Sequence, residues 1–252
     1  MASSTAQSIT PQSITRGLVR ETANQSVSDL SYIERASAYW EASPGAPHVK
    51  LEAFAKYASR QALTKFMARL ELFQMQLEVN GSIVEVGVHR GASLMAWAQM
   101  SAILEPVNYL RKIVGFDTFE GFPSLSQQDS AGSSEHLKAA IALFDENRLM
   151  NHIAKVELVR GDVAKTMPAY LAANPHLVVS LLHLDADLYE PTKVTLETLV
   201  PRMPKGAIIA FDELNMKLFP GETLATLETL GLRNLRLRRF PYATSLSYAV
   251  LE

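Results

Sequence analysis

The sequence predicts an α/β fold. A seven-stranded, mainly parallel sheet is covered by helices on both faces, closed by an antiparallel hairpin and preceded by further helices. Three observations predict it. Past Asn80-Gly81, short apolar runs alternate with helical periodicity, the order that builds a parallel sheet. The runs are mostly apolar, as strands buried on both faces are. The last two have no helix between them, only residues 241–246, so they must pair antiparallel.

Each element can be justified in turn. Residues 1–28 are polar and rich in Ser and Thr, the composition of a flexible tail. A helical pattern covers 29–42 and stops at the turn Ser43-Pro44-Gly45-Ala46-Pro47. A second amphipathic segment, 51–77, carries Leu63, Phe66, Met67, Leu70 and Phe73 at three- and four-residue spacing. This predicts one helix face, with Met67 and Phe73 in the core. Strand and helix then alternate: 83–88 and 92–104, 112–116 and 135–150, 156–159 and 163–173, 177–184 and 191–203, 207–211 and 222–230. Strands at 235–240 and 247–251 follow. Five β-α units closed by a hairpin are the order of a class I methyltransferase, not of a six-stranded dinucleotide dehydrogenase. The chain thus divides into a tail (1–28), a helical extension (29–80) and a methyltransferase-like domain (81–252).

Composition narrows the chemistry. Of 252 residues, 48% are hydrophobic and 20% charged, ample material for a packed core. Lys and Arg total 24 against 26 Asp and Glu, a balance unlike that of a general nucleic-acid or membrane-surface binder. There are no cysteines, which excludes disulfides, thiolate metal sites and Cys nucleophiles and fits a cytoplasmic protein. The longest apolar stretch, 177–184, is far too short to span a bilayer. The four Arg between Arg233 and Arg239 alternate with Leu235 and Leu237, a strand with a solvated basic face.

In an open α/β sheet, ligands bind beyond the carboxyl ends of the strands. The first strand ends Glu85-Val-Gly87-Val-His-Arg-Gly91, an E-x-G-x-x-x-G spacing rather than the dinucleotide G-x-G-x-x-G. A carboxylate beside a glycine turn suits the cationic groups of S-adenosylmethionine (SAM); a structural turn is the alternative. Asp117 at the second strand end suits both ribose hydroxyls, or caps a turn, and Thr118 follows it. Gly161-Asp162-Val163 closes the third, where Asp162 both caps a helix and meets the adenine. The fourth gives Asp185-Ala-Asp187-Leu-Tyr-Glu-Pro191 and the fifth Asp212-Glu213. Four carboxylates at neighbouring strand mouths need a compensating cation or proton, unless Asp187 and Glu213 are exposed acids at helix starts. Oxygen donors alone suit Mg²⁺ or Ca²⁺, and with no Cys and no His pair zinc is disfavoured. His183 reads as a packed histidine, His89 or Arg90 as a contact for the cofactor carboxylate, Trp40 and Trp97 as structural, and 124–134 as a lid or substrate wall.

Together Glu85-x-Gly87-x-x-x-Gly91, Asp117-Thr-Phe-Glu-Gly121, Leu184-Asp-Ala-Asp-Leu-Tyr-Glu-Pro-Thr192 and Ile209-Ala-Phe-Asp-Glu213 resemble the macrocin-type (TylF/MycF) O-methyltransferases. These are class I, SAM- and Mg²⁺-dependent enzymes acting on deoxysugar hydroxyls. The resemblance runs from about residue 50 to the C-terminus. It implies a metal held by Asp185, Asp212 and Glu213. Catalysis would rest on Asp187 as base, with Asp185 as the metal-bound alternative. The cofactor would lie against Glu85, Gly87, Gly91, Asp117, Thr118, Gly161, Asp162 and Val163, covered by residues near Tyr57. The family usually carries Asp-Asp where Asp212-Glu213 stands; Glu213 can still reach a metal with one more methylene, so coordination is expected to survive, with its geometry left open. It also implies a sugar or glycoside acceptor, no nucleic-acid or membrane partner, and a homo-oligomer, dimer or larger. Two other readings stay open at this point: a D-x-D nucleotide-sugar glycosyltransferase, and a non-catalytic SAM-binding protein. Asp185 and Asp187, two residues apart on an extended segment, are expected on one face.

Overall fold

The computed structural model describes residues 27–122, 124–129 and 155–252. The expected tail (1–28) up to residue 26, the helix expected over 135–150 and residues 130–134 of the Ser-rich stretch 124–134 lie outside them.

Among the described residues, four helices precede the sheet: α1 (Val27–Ala42), α2 (Pro47–Glu52), α3 (Phe54–Tyr57) and α4 (Arg60–Met75). The single helix expected over 51–77 is therefore three. Ala53 leaves helical geometry at φ −101°, ψ 33°, and Ala58 is extended at φ −70°, ψ 140°. Ser59 then restarts the chain as an N-cap, its hydroxyl accepting from the Ala62 amide at 3.0 Å. Pro47, with no amide hydrogen to lose, opens α2 earlier than expected. Tyr57 packs within this extension, its ring 4.9 Å from that of Trp40 and 5.8 Å from that of Tyr39.

Seven strands follow: β1 (Ser82–Val86), β2 (Ile113–Asp117), β3 (Val156–Arg160), β4 (Val179–Leu184), β5 (Ile208–Phe211), β6 (Arg238–Phe240) and β7 (Ala243–Val250). Their order is β3-β2-β1-β4-β5-β7-β6. The first five are parallel, and β7 runs antiparallel to both β5 and β6, the terminal hairpin that the sequence predicts. Between strands lie α5 (Ala92–Leu104), α6 (Val163–Ala173), α7 (Tyr189–Leu199) and α8 (Pro220–Thr229). This is the class I methyltransferase fold.

Successive strand residues face opposite sides, so each strand feeds two cores. Ile83, Leu181 and Ile208 pack with Leu72, Phe73, Leu94 and Trp97 beneath α4 and α5. Val84, Leu182 and Ile209 pack with Met167, Leu171, Leu196 and Leu199 beneath α6 and α7. Phe73 is in the core as expected, but Phe66 and Met67 are 42% and 49% exposed. The buried stripe of α4 is Ala68, Arg69, Leu72 and Phe73, one position away from the face its apolar residues suggest.

That rotation has a cause at each end of α4. Gln76, its C-cap, accepts from Arg111 at 2.6 Å; the same guanidinium donates to the Gly81 carbonyl and Ser180 Oγ at the amino edge of the sheet. From Gln76 back to Lys65 the helix rises roughly 16 Å, about the length of a five-residue strand such as β1. Lys65 thereby reaches the carboxyl edge, where it bonds Asp212. Among the described residues no helix is long and apolar enough to cross a membrane.

Candidate active site

The strand order reverses between β1 and β4, which opens a crevice beyond their carboxyl ends. On one side lie the ends of β1, β2 and β3, on the other those of β4 and β5.

The first half is a set of interlocked turns. Gly87, at φ +94°, sits where an added Cβ would stand 1.9 Å from the Asp185 carbonyl oxygen. Gly91, in left-handed geometry at φ 76°, caps α5. Asp117 accepts from two backbone amides, His89 at Oδ2 and Phe119 at Oδ1, each at 2.8 Å. Thr118 accepts from the Glu120 amide and donates to the Gly121 carbonyl. The Gly161 amide bonds the Asp117 carbonyl at 2.9 Å, and Asp162 caps α6 through the Ala164 amide at 3.1 Å. Val163, the first residue of that helix, is buried. These expected cofactor residues all gather on three adjacent strand ends.

Glu85 does not join them. Expected beside the cofactor, it is fully buried within β1. Its Oε1 accepts from Ser93 Oγ at 2.8 Å; its Oε2 accepts from Trp97 Nε1 at 2.9 Å and lies 3.3 Å from His183 Nδ1. The side chain of a strand residue must point to one face, and here that face is the core under α5. The carboxylate ties β1, α5 and β4 together, and it gives Trp97 and His183 the packed, hydrogen-bonded roles the sequence suggests.

The second half is acidic. Carboxylate oxygens of Asp185, Asp187 and Glu213 lie within 4.8 Å of one another, and so do ligand atoms of His183, Asp185 and Asp212. Asp187, Asp212 and Glu213 are almost wholly buried. The two aspartates do not meet as an extended pair. β4 ends at Leu184, and Asp187 adopts the left-handed conformation at φ 64°, which aspartate tolerates better than most residues. A turn, not strand alternation, brings the carboxylates together. Residues 124–129 are seated beside it: Asp129 Oδ1 accepts from the Tyr189 amide at 2.8 Å and so caps α7.

Two members had no place in the sequence argument. Glu222 of α8 is fully buried and accepts from the Glu213 amide at 3.0 Å. In the sequence it is only an acid in the first turn of a helix, where the dipole alone would favour it. Lys65 bonds Asp212 Oδ2 at 2.8 Å across 147 residues of chain, and no local pattern announces it.

The charges strain against one another. Burial, then the negative charge of Asp212, push the Asp185 carboxyl up to about 7, against the opposing pull of Lys65 and His183. Burial and the carboxylates of Asp187, Asp212 and Asp185 hold Glu213 well above the usual range, and burial and Asp212 do the same to Glu222. Asp212 moves the other way: burial would raise it, but Lys65, with His183 and Arg69, brings it down to about 2. His183 Nε2, Asp212 Oδ1 and Glu222 Oε2 are buried with no hydrogen-bond partner. Crowded oxygen donors with unused lone pairs are what a hard divalent cation requires, and the donor groups that come together, His183-Asp185-Asp212 and Asp185-Asp187-Glu213, share Asp185 and divide the expected set Asp185, Asp212 and Glu213 between them.

Comparison with known proteins shows the family. The family described as macrocin-O-methyltransferase (TylF) matches residues 54–224, more than half of the chain. The chain belongs to that family. The TylF match includes Lys65, all the strand-end acids and Glu222. The crystal structure of CalS11, a calicheamicin methyltransferase, is similar with a TM-score of 0.82 and 32% identity over 90% of this chain and 94% of that one. The apo structure of CalS11, described as a TDP-rhamnose 3'-O-methyltransferase, gives 0.74 and 34% over 90% and 96%. Demethyldecarbamoylnovobiocin O-methyltransferase of Streptomyces niveus is 27% identical over 55% of this chain and 54% of its own. A tetracenomycin rhamnosyl 4'-O-methyltransferase of Streptomyces olivaceus is 29% identical over 54% and 53%. The chain thus spans about half the length of these curated relatives. TylF membership and the terminal hairpin favour methyl transfer over the glycosyltransferase reading of Asp185-Ala-Asp187.

Proposed function

We propose that this protein is a SAM- and divalent-cation-dependent O-methyltransferase acting on a hydroxyl of a sugar or glycosylated natural product. The observation that carries the reading is the buried acid cluster on β4 and β5 beside the interlocked turns of β1, β2 and β3. The similarity to sugar-directed O-methyltransferases supports the acceptor class.

SAM supplies a methyl group on a positively charged sulfur. A divalent cation held by Asp185, Asp212 and Glu213 would acidify an acceptor hydroxyl and fix its orientation. The chain's own residues do the rest. Asp117 has both oxygens oriented by backbone amides, and each retains a lone pair for a ribose hydroxyl. Gly87 and Gly91 keep the β1 turn tight, and Gly161 and Asp162 shape the adenine end. Thr118 braces the loop after β2, and Val163 packs beneath the site. Asp187, beside Asp185 and Glu213, takes the hydroxyl proton. With SAM bound, the carbon–oxygen bond would form as its methyl–sulfur bond breaks. Asp185 is the alternative acceptor for that proton.

A homo-oligomer built through the N-terminal helices belongs to the same reading. Leu51, Phe54, Phe66 and Met67 are exposed there, surface that a second copy would cover.

The test is incubation of the protein with SAM and a panel of nucleotide sugars and glycosides, with Mg²⁺ or with excess EDTA. Mass spectrometry should find an acceptor gaining one methyl group only in the presence of metal. Full turnover in EDTA would remove the metal, and SAM binding without any methylated product across the panel would leave a SAM-binding protein.

A further inference from the structure

Lys65 is the feature of the site that the proposed reaction does not use. Its side chain leaves α4 and places its ammonium 2.8 Å from Asp212 Oδ2, at the mouth of β5. It also feels the charges of Asp185 and Glu213, which together with Asp212 hold its ammonium well above the usual lysine range despite burial acting the other way. Arg69, one helical turn further on, lies near the same carboxylate. The ammonium thus sits where the positive charge of a divalent ion would be required, on one of the ion's expected ligands.

We propose that Lys65 is a tethered counter-cation of the acid cluster that competes with the divalent ion for Asp212, so that metal binding displaces the lysine. This inference rests on the metal reading of the same site. Three observations carry it. Asp212 Oδ2 cannot give its full charge to the ammonium and to a metal at once, and two cations sharing one carboxylate repel. Asp212 Oδ1 and His183 Nε2, both buried and without hydrogen-bond partners, show that the lysine leaves part of the cluster unsatisfied. The Lys65 side chain is 38% exposed, so it has a route to water and can leave without movement of the helix. Its flexible stem and strongly hydrated head suit such an exchange. The lysine keeps the cluster from facing five acids with no cation when no metal is bound, and it sets the metal affinity below what the carboxylates alone would give.

Manganese titration by calorimetry, with the full chain, tests this. Lys65→Gln should bind Mn²⁺ about tenfold more tightly than the unaltered protein, whereas Lys65→Arg, which retains the charge, should stay within about threefold. Acylation of Lys65 by an amine-reactive ester, mapped by mass spectrometry on the unaltered protein, should rise on saturation with Mn²⁺. The acylation arm needs no variant and decides the matter if Lys65→Gln fails to fold. Equal Mn²⁺ affinity in all three proteins with unchanged acylation would overturn the competition and leave the metal reading standing. Weaker binding by Lys65→Gln would likewise overturn it, making the lysine a support of the site. Absence of Mn²⁺ binding in all three would overturn both readings.

Discussion

The carbonyl oxygen of Asp185 lies 1.9 Å from where a Cβ on Gly87 would stand. The glycine of the β1 turn is therefore required by the acid-bearing loop after β4, whatever the cofactor requires. The Asp185 amide in turn bonds the Val86 carbonyl at 2.9 Å, so the two loops are one structural unit. Gly87→Ala should damage both halves of the site. Left-handed backbone costs an alanine about 1–2 kcal/mol, and the clash is with backbone that cannot rotate aside. A total near 3 kcal/mol would lower Tm by roughly 6–12 °C for a chain of this size. A calorimetric Tm within about 2 °C of the parent would show that the loop yields more easily than its packing suggests.

Asp117→Asn isolates the cofactor half. Asparagine retains one acceptor, but its NH₂ must face either the His89 or the Phe119 amide, donor against donor. Loss of the charge-assisted bonds should weaken SAM binding by about 1.5–3 kcal/mol. Calorimetric affinity unchanged within about twofold would remove Asp117 from the cofactor site.

Asp187→Asn isolates proton transfer. The left-handed φ of 64° suits asparagine as well as aspartate, so the fold should be retained. Turnover should fall by about 10²–10⁴, the usual cost of losing a general base. SAM affinity and Mn²⁺ stoichiometry should hold. If the variant loses the metal instead, Asp187 is a ligand and Asp185 becomes the proton acceptor.

The fold was legible because doubly buried strands leave mostly apolar runs and a hairpin needs no connecting helix. Asp117, Asp185, Asp187, Asp212 and Glu213 were legible because acids at strand ends have few structural reasons to be there. What sequence could not show was direction and distance. Nothing local tells that Glu85 points into the core, since Ser93, Trp97 and His183, which hold it there, are scattered along the chain. The face of α4 was misjudged because two of its inward residues, Lys65 and Arg69, are charged and read as solvent-facing. Ser59 did carry a readable signal, a capping residue ahead of Arg60, which would have split the long helix.

The acid cluster also predicts an unusual dependence of stability on pH. Asp185 holds its proton up to about 7 in the folded protein, well above the ordinary aspartate value, because of burial and the charge of Asp212. A raised carboxyl stabilises the fold below its ordinary pKa, and that contribution is lost as pH rises towards the folded value. Glu213 and Glu222, also raised, act in the same direction. Asp212, held down to about 2, acts oppositely, but only as pH falls below the ordinary aspartate value. Between about pH 5 and pH 8, therefore, the metal-free cluster should destabilise the protein increasingly. Asp185→Asn removes one of the crowded charges. In excess EDTA its Tm should exceed that of the parent at about pH 8, and the advantage should shrink at about pH 5, where the parent's Asp185 is protonated. Mg²⁺ should reverse the order at the higher pH, because the parent gains a ligand-bound cation that the variant binds poorly. An equal Tm difference at both pH values, unaffected by Mg²⁺, would show that these carboxylates do not repel one another in the folded protein.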